Sequence, residues 1–203
     1  MSPPRRRTQE ERTAATHERL LQATFASLVE LGYARTSTPE VQRRSGVSRG
    51  ALLHHIPTRA DLVTAAVDCV FDRQLAEYRE SLAGLSMDAD DRAAEAIELL
   101  WTKLSGDTFY AWLELIVAAR TEPVLLERVR VLTRRFDQNA ADVREEMFPP
   151  PEESNPYYKV AVAFGFATLI GLGVTRIYED EHRQRKVIEP LKMLARMVDP
   201  AGG

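Results

Sequence analysis

The chain has 203 residues, of which 44% are hydrophobic and 28% charged, a balance that suits a globular protein of one large or two small domains. Its single cysteine, Cys69, excludes an intrachain disulfide. The basic start, Met1–Arg7, is followed by no apolar run of the kind a secretory signal carries, so a cytoplasmic protein is expected. The net charge of −3 conceals an asymmetry. Residues 1–60 carry ten Arg, no Lys and five Glu, a balance of +5, which leaves −8 for the remainder. A basic end on an acidic body has two readings, a protein that docks one end on a polyanion and a solvated arginine surface. Arginine without lysine points further to phosphate or guanine, which a planar fork of donors fits.

Taken in chain order, residues 1–12 read as a flexible basic arm. Its Arg5-Arg6-Arg7 run has two readings, a minor-groove contact and a solubilising tail. A first helix starts at Thr8 or Thr13 and ends at Gly32, with Leu20, Leu21, Thr24, Phe25, Leu28 and Leu31 on one buried stripe. Ser37–Ser45 forms a short second helix, capped by Ser37 or by Thr38 with Pro39 in the first turn. Gly46 stops it with positive φ, and Val47 plugs the turn. Ser48 caps a third helix, Arg49–His55, which Pro57 ends at about Ile56. Two short helices around a Gly-Val-Ser turn have two readings, a helix-turn-helix whose second helix suits a DNA major groove and an ordinary helical hairpin.

The run Leu20-Leu21-x-Ala23-x-Phe25-x-x-Leu28…Gly32-Tyr33-x-x-Thr36-Ser37…Val41…Gly46-Val47-Ser48-x-Gly50-x-Leu52…His55…Pro57-x-Arg59-x-Asp61-Leu62 resembles the N-terminal domain of TetR-type transcriptional regulators. Four positions depart from that pattern. Leu53 stands where the family usually has a phosphate-contacting Tyr, Ile56 where it has Phe, Gln42 where it has a small residue, and Ala60 where it has an acidic one. The DNA-facing candidates are Thr36, Arg43, Arg44, Ser48, Arg49, Gly50, His54 and Arg59. Arg49 and His54 are the candidates for reading base edges, and Thr36, Ser48 and Arg59 for holding phosphates. His55 is expected to pack on the scaffold instead.

Thr58-x-x-Asp61 opens a long fourth helix to Leu82, about 35 Å at 1.5 Å per residue, enough to link two domains. Helical patterns then follow at Asp90–Leu104, at Phe109 to about Arg120, and at Pro123–Met147. After a proline-rich loop at residues 148–156 comes a sixteen-residue uncharged run, Val160–Thr175, too short for a membrane span. A last helix carries Val187, Leu191, Leu194 and Val198, with Pro190 starting or kinking it. The expected fold is therefore all-α with about nine helices. A helix-turn-helix domain at 13–58 is joined by the long fourth helix to a larger effector-binding and dimerisation domain at 59–203.

The resemblance implies an effector site in that larger domain and a homodimer built from its last two helices. Trp101, Phe109, Trp112, Phe136 and Phe164 are the pocket candidates, with core packing as the other reading of each. Ala163, Ala167, Gly171, Val174, Leu191 and Leu194 are the dimer-interface candidates. The implied partners are operator DNA, a small-molecule effector and a second copy of the chain, with no membrane. No cofactor, metal site or catalytic residue is expected: adjacent His54 and His55 diverge by about 100° on a helix, and no Gly-rich phosphate loop or nucleophile motif occurs.

Overall fold

The computed structural model describes residues 8–84, 89–147 and 158–198. Regular structure there is helical throughout: α1 Gln9–Arg35, α2 Thr38–Ser45, α3 Arg49–His55, α4 Arg59–Ala83, α5 Ala89–Leu104, α6 Asp107–Ala119, α7 Pro123–Met147, α8 Tyr158–Thr175 and α9 Glu181–Val198. The proline-rich segment 148–156 and Arg5-Arg6-Arg7 lie outside the described residues. Gln9–Arg12, expected in the arm, belong to α1 instead. There Thr8 accepts from the Glu11 amide at 3.1 Å while its own N–H donates to the Glu11 carboxylate at 2.8 Å, satisfying two end groups at once.

The chain divides into two compact units, residues 1–71 with 110–134, and 72–109 with 135–203. These units differ from the domain limits expected at residue 58. α4, α6 and α7 each contribute to both, because long helices are partitioned where their packing partners change.

In the first unit, Leu20 and Leu21 of α1 pack with Val41, Val47, Leu52, Ile56, Leu62 and Ala66. Each short helix thus inserts one or two large side chains into a common core, which holds α2 and α3 at fixed pitch despite their length. Isolated helices of this size would not persist in water. Ile56, in place of the family's Phe, is 4% exposed and completes that core.

In the second unit, Trp101 of α5 is buried with Leu169 and Leu172 of α8 and Ile188 and Leu191 of α9. A polar clasp reinforces this side, Glu98 accepting ion pairs from Arg185 and from Lys192, each at 2.6 Å. A smaller cluster, Leu82, Ala96 and Val143, joins α4, α5 and α7. α9 starts nine residues before Pro190, which lies inside it on its exposed side, so of the two expected roles the proline does not start the helix.

Candidate nucleic-acid interface

The helix-turn-helix is fixed by its caps. Ser37 accepts from the Glu40 amide at 3.4 Å, and Gly46 takes φ 66°, ψ 14° at the end of α2. Ser48 then accepts from the Ala51 amide at 3.3 Å and opens α3. Leu52 faces the core, Ala51 and His55 are half-buried, and Arg49, Gly50, Leu53 and His54 are exposed. At about 100° per residue the exposed four span an arc of about 140°, with Leu53 and Gly50 at its middle and Arg49 and His54 on its flanks. A Cβ at Gly50 would meet nothing within 4 Å. Arg49 has no ion-pair partner among the described residues. His55 packs as expected, its ring 6.0 Å from that of His17 and 5.8 Å from that of His54.

The arginines of α2 are less free. Glu40 accepts from Arg43 at 2.9 and 2.6 Å and from Arg44 at 2.6 Å. These bonds hold its carboxyl down at about 2. Arg44 also pairs with Glu30 at 2.8 Å, with its side chain only 17% exposed, and so it ties α2 to α1. Arg43 keeps an exposed side chain beside the same carboxylate.

Two expected phosphate ligands are used internally. Thr36 is 1% exposed. Its hydroxyl donates to the Gly32 carbonyl at 2.9 Å and lies 3.1 Å from Ser27 Oγ, which closes the end of α1. Arg59 donates from Nε to the Thr36 carbonyl at 2.7 Å and from Nη2 to the Tyr33 carbonyl, with its guanidinium 4.0 Å from the Tyr33 ring centroid. It neutralises the carbonyl end of α1, where a cation is favoured. An Arg near a helix-turn-helix reads as a phosphate ligand in sequence; only the fold shows that its Nε and Nη2 already donate to the end of α1.

The same corner carries residues the sequence did not single out for it. Gly32 interrupts α1 at φ 74°, ψ 173°. That break exposes the Tyr33 N–H, which donates to Glu114 of α6 at 2.7 Å, and Tyr33 Oη donates to Glu122 at 2.6 Å. Burial and the bond to Glu122 push the phenol up to about 12.

The body candidates separate by burial. Trp101 is 5% and Phe109 3% exposed, and Trp101 packs among the leucines of α8 and α9. Trp112 and Phe136 are half-buried, and Phe164 is 60% exposed. Two shallow surface hollows, one between α1 and His55 and one between α4 and α7, are lined by none of these five aromatics. Of the dimer candidates, Ala163, Ala167, Gly171 and Leu194 are exposed and Val174 is half-exposed. Leu191 is only 6% exposed and belongs to its own chain's core.

The sequence profile of the bacterial regulatory proteins of the tetR family matches residues 20–66. An HTH-type transcriptional regulator of Mycobacterium tuberculosis is 33% identical over 172 residues, covering 84% of this chain and 87% of that protein. The chain belongs to the TetR family of transcriptional regulators. As a TetR-family member it is a DNA-binding transcriptional regulator, and the relatives it matches are regulators, not enzymes. Solved structures share the fold. A transcriptional regulator of Streptomyces coelicolor A3(2) superposes with a TM-score of 0.68 at 23% identity, covering 91% of this chain and 98% of that one. EbrR, a multidrug binding protein complexed with ethidium, gives 0.59 at 20% identity, covering 87% and 97%. Among the described residues no helix of this TetR-family chain is long and apolar enough to cross a membrane.

Proposed function

We propose that the protein is a cytoplasmic, homodimeric repressor that reads its operator with α3 and is released by a small-molecule effector. The observation that carries the reading is the outward arc of α3, where Arg49, Gly50 and His54 stand exposed on a helix fixed by its core. Arg49 and His54 read base edges. Arg43, Ser48 and the open backbone at Gly50 serve phosphates or close approach. DNA recognition belongs to residues 13–58, and effector and dimer functions to 59–203.

The test compares Arg49→Ala with the parent protein on a selected operator and on random DNA. A base-reading arginine loses roughly 1–3 kcal/mol on the operator and less on random sequence. Equal losses on both make Arg49 a phosphate contact. Binding that does not fall steeply with salt removes electrostatic docking altogether.

A two-fold dimer places two reading helices about one helical turn of DNA apart. The face supporting it is apolar and exposed: Val160, Ala163, Phe164, Ala167 and Gly171 on α8, with Val187 and Leu194 on α9. Phe164→Glu is expected to shift light scattering toward monomer and to weaken operator binding with it.

In the release mechanism, effector binding in the helical body favours one tilt of α4, so that ligand and DNA affinities couple reciprocally. The fold relationship to EbrR supports an apolar or cationic effector. A competing reading, a dimeric regulator without an effector, draws support from Trp101 and Phe109 being packed into the protein core. Thermal-shift screening with apolar cations such as ethidium decides: stabilisation supports an effector, and no shift with any compound favours the second reading.

A further inference from the structure

Leu53 is 45% exposed, a large apolar side chain on the one helix whose outer face is otherwise Arg, Gly and His. Its place on that face matters more than its exposure. Leu52, Ala51 and His55 define the side of α3 turned to the core, and the direction opposite them falls between Leu53 and Gly50. When a helix enters the major groove, the residues at the centre of its outer arc lie nearest the groove floor, and long side chains on the flanks, here Arg49 and His54, reach base edges from either side. Gly50 supplies no side chain to hold the helix off, so Leu53 is the outermost bulk at the middle of the arc. A tyrosine there can reach a backbone phosphate through its hydroxyl. A leucine has neither that length nor a donor, and an apolar group gains little beside a charged phosphate.

The major-groove floor offers one kind of apolar target, the 5-methyl group of a pyrimidine, which thymine carries in every T·A pair. We propose that Leu53 is a specificity-determining residue that packs on a thymine methyl group in each operator half-site. It makes the protein prefer T at one position that Arg49 and His54 do not read. This rests on α3 being the reading helix.

The experiment uses the full-length protein and a duplex selected by it from a random pool. Thymines are replaced singly by uracil, which deletes only the methyl. One thymine per half-site is expected to respond, with affinity falling about four-fold, the factor for burying one methyl-sized group. In Leu53→Ala that sensitivity disappears, while the other thymines behave as in the parent. Cytosine at that position binds weakly, and 5-methylcytosine regains part of the loss, since it restores a methyl at the same place in the groove.

Leu53→Ala leaves an exposed position with a good helix former, and an unchanged melting temperature shows that the fold is intact. If no thymine responds to uracil, or if the response survives in Leu53→Ala, Leu53 does not read a methyl. Arg49→Ala is measured alongside. Binding that depends on Arg49 but not on any methyl overturns the Leu53 assignment alone, whereas indifference to both removes α3 as the reading helix.

Discussion

Tyr33 is gripped at both ends by α6 and the turn after it: its N–H donates to Glu114 at 2.7 Å and its hydroxyl donates to Glu122 at 2.6 Å. With Arg59 over its ring, one residue just past the break in α1 gathers two acids and a cation. Tyr33→Phe keeps the packing and removes only the hydroxyl, leaving the Glu122 carboxylate without that donor. A loss of about 1–2 kcal/mol is expected, measured by urea unfolding. The pH dependence has a definite sign. The phenol is raised to about 12 from its ordinary value of 10, so its contribution is complete below pH 10 and lost as pH rises through about 12. Glu122→Gln should bring the titration of Tyr33 back down, followed by ultraviolet absorbance. An unchanged titration would mean that Glu122 has no hold on the phenol.

Three glycines in the reading domain do three different things, and alanine at each should separate them. Gly32 has φ 74° with extended ψ, and a Cβ there would lie 3.0 Å from Glu114 Oε2, the atom that accepts from Tyr33. Strain and clash together should cost roughly 2–3 kcal/mol. Gly46 has positive φ but open space around it, so only the left-handed penalty of about 1 kcal/mol remains. Gly50 is helical and open, and alanine should stabilise slightly there while weakening DNA binding by standing between helix and groove. Thermal melts and operator binding of the three variants would show that order, and Gly50→Ala binding DNA as well as the parent would argue against close approach.

Glu40 is a local brake on the basic surface. It holds Arg43 and Arg44 through three charge-assisted bonds, and DNA must compete with it for Arg43. Glu40→Gln removes one negative charge from the docking face, so tighter binding to random DNA and a steeper salt dependence are expected, by up to about 0.9 in the logarithmic slope if one further phosphate is engaged. The carboxyl titrates at about 2 when folded against an ordinary 4.5. Its contribution is therefore present above pH 4.5 and lost as pH falls toward 2. Acid unfolding of Glu40→Gln should lack that component, though both partners are solvated and the effect is small.

Local signals carried much of this fold. Ser37, Gly46, Ser48 and Pro57 bound α2 and α3 where the sequence placed them, because caps and breakers act within a few residues. What sequence could not resolve were choices between equivalent chemistries. Arg59 and Arg49 are both arginines beside a helix-turn-helix; one is folded over Tyr33 and the other is exposed, a difference made by contacts 23 and 26 residues away. Trp101 carries the composition of a ligand pocket and the surroundings of a core. Leu191 has the period of an interface on a helix whose two apolar sides face different things, and it falls on the inner one. Glu114 and Glu122 carried no signal toward Tyr33, since nothing in a sequence pairs residues 81 and 89 positions apart.

The same limit shows in α8, where two glycines two residues apart look alike in sequence and are opposites in space. A Cβ at Gly173 would lie 2.5 Å from the Leu104 carbonyl and 2.9 Å from the Phe109 ring, whereas one at Gly171 would meet nothing within 4 Å. Neither Leu104 O, as backbone, nor the buried Phe109 ring can move aside cheaply. Gly173→Ala should therefore cost about 3 kcal/mol or more, by forcing α8 off the end of α5. Gly171→Ala should leave the monomer's fold unharmed, or improve it by up to about 1 kcal/mol, since alanine is the better helix former. A bulkier change, Gly171→Leu, tests the outer face: if a second copy packs there with its backbone close, light scattering will show dissociation while circular dichroism stays helical. A Gly171→Leu variant that remains dimeric would move the dimer contact away from this stripe, whatever Gly173→Ala does to stability.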